Sequence, residues 1–310
     1  PTRYADVAYP SASTSSSAVS VRQLLDDAAV APTNSPTTVR DYLHHIAVGG
    51  WPLLVGASEA TARTYLNGYL RVIVEHDIDE VSGATRNPRL VRRFLHAYAQ
   101  MTAQPSTLAT VMKRARDEVD DAPSLPSRPA AQDYLDALRR MMIVDEVPAW
   151  DPAVRSSKRL TNTPKRMLAD PSLAASLLRM TPERMLDDLE TAGFLFESLV
   201  AHDLRIYAEA AEASCYHYRE AEGRLEVDYV LETLDGDWVG VEVKLGESSA
   251  DHAAASLLQM AGRVARAEHR CARVDAADRR ESGTREHGDA VLEAIRLGDV
   301  SADEGLEVLP

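Results

Sequence analysis

A chain of 310 residues is long enough for about two or three modest domains. Its net charge of −14 excludes a protein that coats nucleic acid indiscriminately. Cys215 and Cys271 stand in no metal-ligand spacing, no apolar run is long enough to span a bilayer, and no apolar leader pattern opens the sequence, so a cytoplasmic protein with no membrane partner is expected.

Taken in order, residues 1–36 are rich in Ser, Thr, Ala and Pro and read as a flexible linker or remnant with one short helix near Val19–Ala29. The first residue is Pro1 rather than Met, which reads as a fragment or a reading frame cut on its N-terminal side. Thr37 or Thr38 caps a helix that stops at Gly49-Gly50, and a second helix starts near Ser58, so 37–86 is a helical segment. Residues 87–150 are expected to form a winged-helix-like unit: helices after Asn87-Pro88 and Ser106-Thr107, a helix with Tyr134, Leu138, Met141 and Met142 along one stripe, and a short strand through Ile143, Val144 and Val147. The stripe-bearing helix is not notably basic, since Asp133 and Asp136 offset Arg139 and Arg140.

Arg155, Lys158, Arg159, Lys165 and Arg166 then occur without an intervening acid, as a phosphate-binding loop or a solvated linker would. Met167–Asp170 suggests a short strand and Ser172–Leu178 a helix. A helix from Gly193 places Phe196, Val200, Leu204 and Tyr207 on one stripe with Glu197 at its border. Tyr216–Arg219 reads as a strand feeding a hairpin, Ala250–Arg266 as a helix with Leu257, Leu258 and Met260 inward, and 265–310 as a weakly structured tail with a last helix over Ala290–Leu297.

The hairpin, Leu225–Leu245, carries the chemistry. Val227, Tyr229 and Leu231 alternate with Glu226, Asp228 and Val230, and Val239, Val241 and Val243 alternate with Trp238, Gly240, Glu242 and Lys244 on the far side of an Asp-Gly turn. Putting both apolar rows on one face requires a connection of odd length, such as Asp235, Gly236 and Asp237. Asp228, Glu242 and Lys244 then share the other face, with Asp228 roughly opposite Lys244. Two carboxylates can hold magnesium through oxygen ligands at ~2.0–2.1 Å. The metal activates a water, and a lysine can stabilise charge on a phosphate. Asp228, Glu242 and Lys244 are therefore the candidate catalytic residues, and Glu197, Asp228 and Glu242 the candidate metal ligands. Opposite charges paired across a solvated sheet face would leave the same pattern.

Gly49-Gly50-Trp51-Pro52, Pro164-Lys165-Arg166, Phe196-Glu197, His217-Tyr218-Arg219, Glu226-Val227-Asp228 and Glu242-Val243-Lys244 occur in the order of one family. Over Val39–Val264 the chain resembles the C-terminal part of prokaryotic AAA-superfamily ATP-binding proteins that end in domain of unknown function 4143. The resemblance implies an α+β architecture: an ATPase lid end over 37–86, the winged-helix-like unit over 87–150, and a PD-(D/E)XK nuclease-like α/β sheet domain over 151–264. It maps Glu197, Asp228, Glu242 and Lys244 onto the nuclease-like motif. No G-x-x-x-x-G-K-[ST] loop occurs, so ATP is not an expected ligand of these residues. The expected function is a nuclease-like, DNA-associated module of an AAA-type protein, with magnesium-dependent phosphodiester cleavage. The alternatives are a non-catalytic module that binds DNA, a protein partner or itself, and a truncated gene product.

Overall fold

The computed structural model describes residues 20–25, 37–117, 126–151, 163–220, 223–245, 250–266 and 291–296. The architecture is α+β, helices plus a small antiparallel sheet, divided into two compact units. Unit 1 comprises Pro1–Ser15, Thr37–Val147 and Thr163–His202; unit 2 comprises Ser16–Pro36, Pro148–Asn162 and Asp203–Pro310. Among the described residues, no helix is long and apolar enough to cross a membrane.

Unit 1 is helical. Helix α2 (Val39–Val48; α1 is Val21–Leu25, in unit 2) begins in a capping box in which Thr38 and Asp41 satisfy each other's backbone N–H groups. It buries Leu43 and Ile46 and ends at Gly49, whose φ of +78° favours glycine. The backbone there lies against the start of another helix. A Cβ on Gly49 would sit 2.6 Å from Asp170 Oδ1 and 2.8 Å from Ser172 Cβ. The Gly50 N–H donates to Asp170 Oδ2 at 2.9 Å, and the Trp51 indole N–H donates to Ser172 Oγ at 3.0 Å. α3 (Glu59–Val72) and α4 (Ile78–Ser82) are linked by a π-turn over Ile73–Asp77. α5 (Pro88–Ala99) starts at an Asn87 cap with proline in the first turn and buries Val91, Phe94, Leu95 and Tyr98. α6 (Leu108–Asp117) packs on α5 and on α7 (Arg128–Arg140). α8 (Pro171–Leu178), α9 (Pro182–Asp187) and the first turns of α10 (Leu189–Ala210) complete the unit.

The strands expected over Ile143–Val147 and Met167–Asp170 do not form as such. Those segments run antiparallel through short bridges, Val144 with Leu168 and Val147 with Lys165, and the Asp145 N–H donates to the Met167 carbonyl at 3.1 Å and the Ala169 N–H to the Ile143 carbonyl at 2.9 Å. Each is short and bounded by proline or a helix cap, too brief for a continuous ladder.

Unit 2 holds β1 (Ala213–Arg219), β2 (Glu226–Thr233), β3 (Trp238–Lys244) and β4 (Val291–Arg296) in the order β1-β2-β3-β4, every pair antiparallel. β4 corrects the helix expected over Ala290–Leu297: its backbone pairs with β3 from Val239↔Arg296 to Lys244↔Val291. α11 (Ala250–Arg266) covers one sheet face, packing Leu257, Met260, Ala261 and Val264 with Trp150, Leu225, Val227, Val230 and Trp238. Gly240 makes the close approach possible, since a Cβ there would meet Leu257 Cδ2 at 2.8 Å. Leu258, expected inward, is half exposed.

β2 and β3 are buried on both faces, which the alternation pattern does not suggest. A β-bulge also interrupts β2. Tyr216 pairs with Val230 but Tyr218 with Val227, so His217 stands against two residues of β2, Asp228 and Tyr229. The extra residue resets the alternation and lets Val227 and Val230 join one core cluster.

Candidate functional site

The connection between β2 and β3 is odd in length. Thr233 N–H donates to the Asp237 carbonyl at 2.8 Å, which leaves Leu234, Asp235 and Gly236 as the loop, with Gly236 at φ +89°. The loop thus begins one residue earlier than the expected Asp235–Asp237, and the register moves by two. Tyr229 faces Val241, the last pair of the ladder, and Asp228 is the residue just before it in β2. A two-residue shift preserves the face, so Asp228, Glu242 and Lys244 still converge.

Their contacts are direct. Past Tyr229↔Val241 the strands are joined by a side chain: the Val243 N–H donates to Asp228 Oδ2 at 2.9 Å. Lys244 Nζ donates to the same oxygen at 3.2 Å and to Glu242 Oε2 at 2.6 Å. Asp228 and Glu242 are buried, while the Lys244 side chain keeps 28% of its surface.

The electrostatics follow. Burial, then the charge of Asp228 and a hydrogen bond shared with it, pushes the Glu242 carboxyl up to about 9, against the opposing pull of Lys244. Burial drives the Lys244 ammonium down, but Asp228 and Glu242 together outweigh it and hold it above the ordinary lysine value. Two carboxylates meeting on a buried surface with one ammonium make a place where a further cation would relieve repulsion. Magnesium keeps several waters and is held by one or two carboxylates, so the Asp228–Glu242 pair fits it. Among the described residues, no group of three or more His, Cys, Asp or Glu side chains is arranged to hold a metal ion.

Glu197 lies on α10 beside Phe196, whose ring meets Tyr42 at 5.1 Å. Within unit 1 it receives Lys165 Nζ at 2.5 Å, a pair with Lys165 1% and Glu197 9% exposed. Arg166 is buried as well. It donates from Nε to the Ser106 carbonyl at 2.6 Å, reaches Glu146 through Nη1, and lies over the Tyr98 ring. Glu146 also receives Arg139 Nε at 3.0 Å and the Tyr98 hydroxyl at 3.1 Å. Lys165 and Arg166 are therefore interior ion-pair partners, which corrects their reading as part of an open basic loop; Arg155, Lys158 and Arg159 lie outside the described residues. Sequence reasoning missed the Glu146 network. The one signal for it was Pro164-Lys165-Arg166 next to an apolar Met167-Leu168, two charges entering a core segment.

Residues 39–184 match the model of a family described as Domain of unknown function (DUF8612), and residues 192–292 match that of Domain of unknown function (DUF4143). No curated protein and no solved structure matches the chain. The single resemblance drawn across Val39–Val264 therefore divides into two. The part of the chain that carries Glu197, Asp228, Glu242 and Lys244 is similar to the family with domain of unknown function 4143, and the helical part before it to a different one.

Proposed function

We propose that this chain is a nuclease-like, DNA-associated module, with magnesium-dependent phosphodiester cleavage at Asp228, Glu242 and Lys244. The observation that carries the reading is the cross-strand carboxylate pair, Asp228 with Glu242, joined by Lys244. On this reading unit 2 is a PD-(D/E)XK-like domain, unit 1 contributes a winged-helix-like segment, and both serve an AAA-type ATP-binding system in the cytoplasm.

A bound magnesium ion would supply an activated water and stabilise charge on the phosphate. Asp228 and Glu242 would hold it, Glu242 giving up its carboxyl proton to do so. Lys244 would turn its ammonium from the two carboxylates towards the phosphoryl oxygens, where negative charge develops. The Val243 N–H fixes Asp228 throughout, because it is a backbone donor that cannot rotate away.

A second reading, a non-catalytic module that binds DNA or a protein, draws support from Lys244 already contacting both carboxylates and from Glu197 being paired with Lys165. Nicking of supercoiled plasmid with magnesium or manganese separates the two. The first reading expects nicking by the wild type that is lost in Asp228→Ala; equal nicking by both proteins, or none by either, leaves the second.

A further inference from the structure

We propose that the exposed faces of α5 and α6 form a binding surface for the phosphate backbone of duplex DNA. The surface lies in unit 1, is independent of the carboxylate site, and goes beyond the cleavage reading. Its basis is a local inversion of charge. From Val81 to Arg116, bounded by Glu80 and Asp117, there are seven arginine or lysine residues and no aspartate or glutamate, in a chain of net charge −14.

One of the seven is structural: Arg86 is 3.5 Å from Asp133 and lies over the Tyr134 ring. The other six sit on two helices that pack together, Arg89, Arg92 and Arg93 on α5 and Lys113, Arg114 and Arg116 on α6. All but Arg93 are exposed, and none of the six side chains has an acidic partner among the described residues. Arg93 is half-buried, and its Nη1 has no hydrogen-bond acceptor among the described residues. Arg89, Arg92, Arg93 and His96 follow the three- and four-residue spacing of one helical stripe.

Three further observations select the partner. Five of the six residues are arginine, whose planar fork matches phosphate better than an ammonium does. None of the exposed large apolar side chains falls on α5 or α6, and a membrane surface would need some to insert. Tyr98 and Phe94, the aromatic residues of these helices, are buried, so single-stranded nucleic acid would find no stacking platform. A rigid helix pair with cations and no apolar or aromatic tip fits the regular charge of a duplex.

The test is fluorescence anisotropy of the full chain with a short labelled duplex of arbitrary sequence, titrated over a range of salt. Six phosphate contacts give a log–log salt slope of about −5, hence roughly a thousandfold loss of affinity between about 50 and 200 mM salt. Arg89→Glu/Arg92→Glu and Lys113→Glu/Arg114→Glu should each weaken binding by more than about tenfold and reduce the slope by about 2. Circular dichroism checks that each variant folds, and the two pairs lie on different helices so that either alone can decide. The titration is run in EDTA, without divalent metal, so cleavage at the carboxylate site has no part in its outcome. Unchanged binding in a folded variant, no duplex binding by the wild type at low salt, or preference for phosphatidylserine vesicles or single-stranded RNA over the duplex would each overturn the proposal.

Discussion

Lys165 and Glu197 stand 32 positions apart in the chain and meet in an ion pair whose ammonium is almost wholly removed from water. Removing one partner strands the other charge in the interior, a loss of about 3–5 kcal/mol, whereas replacing both by apolar residues of similar size is close to neutral. Lys165→Met and Glu197→Leu should each lower the midpoint of urea unfolding markedly, and the double variant should recover most of the loss. Additive losses would mean that the two residues act separately.

Glu242 makes stability depend on pH. Its carboxyl holds its proton up to about 9 in the folded chain, against an ordinary value of 4.5. Between those values the folded state binds more protons than the unfolded state, so the contribution is fully present below 4.5 and is lost as pH rises towards about 9. Thermal melts across that window should show the wild type losing stability relative to Glu242→Gln, which has nothing to titrate. Parallel curves would show that Glu242 ionises freely.

Divalent metal gives a separate readout of the carboxylate pair. Ligand that binds only the folded state stabilises it by about 2.7 kcal/mol at a concentration of about 100 times Kd. Magnesium or manganese is expected to raise the melting temperature of the wild type, and the rise should vanish in Asp228→Asn and Glu242→Gln. Glu197→Gln reports whether a third carboxylate takes part: a weakened response says that it does, and a full one that the pair suffices. The same shift in all four proteins would remove the metal site.

Two glycines with similar φ differ in crowding. Gly49 has φ +78° and a Cβ there would strike Asp170 and Ser172; Gly56 has φ +74° and nothing within 4 Å. Gly56→Ala should cost about 1–3 kcal/mol from the backbone alone. Gly49→Ala should cost clearly more in chemical denaturation, because the Asp170 and Ser172 cap must also shift.

Parity was the part of the site that could be read from residue order. Matching two apolar rows required an odd loop and put Asp228, Glu242 and Lys244 on one face. The register itself could not be read, since sliding the loop by one residue at each end moves it by two without changing any face. The bulge at Asp228–Tyr229 obeys no alternation, and burial of the second face was hidden by Trp238 and Gly240, whose role appears only with Leu257 packed over them. Lys165 and Arg166 looked solvated because their acids, Glu197 and Glu146, are 32 and 20 positions away. β4 escaped because Leu292 and Ile295 fit a helical spacing as well as an edge strand.

The bulge also divides β2 into two stretches with different rules of inheritance. Up to Val227 one set of positions faces α11, and from Val230 onward the other set does, so a substitution tolerated on one side of Asp228 has no equivalent on the other. Asp228 is set on its face by the course of the main chain and held there by the Val243 N–H. Drift in neighbouring side chains can therefore proceed while the carboxylate stays in place. Deleting a single residue between Val227 and Val230 would turn it to the opposite face and separate it from Glu242 and Lys244 at one stroke. Along this strand, length is held more tightly than composition.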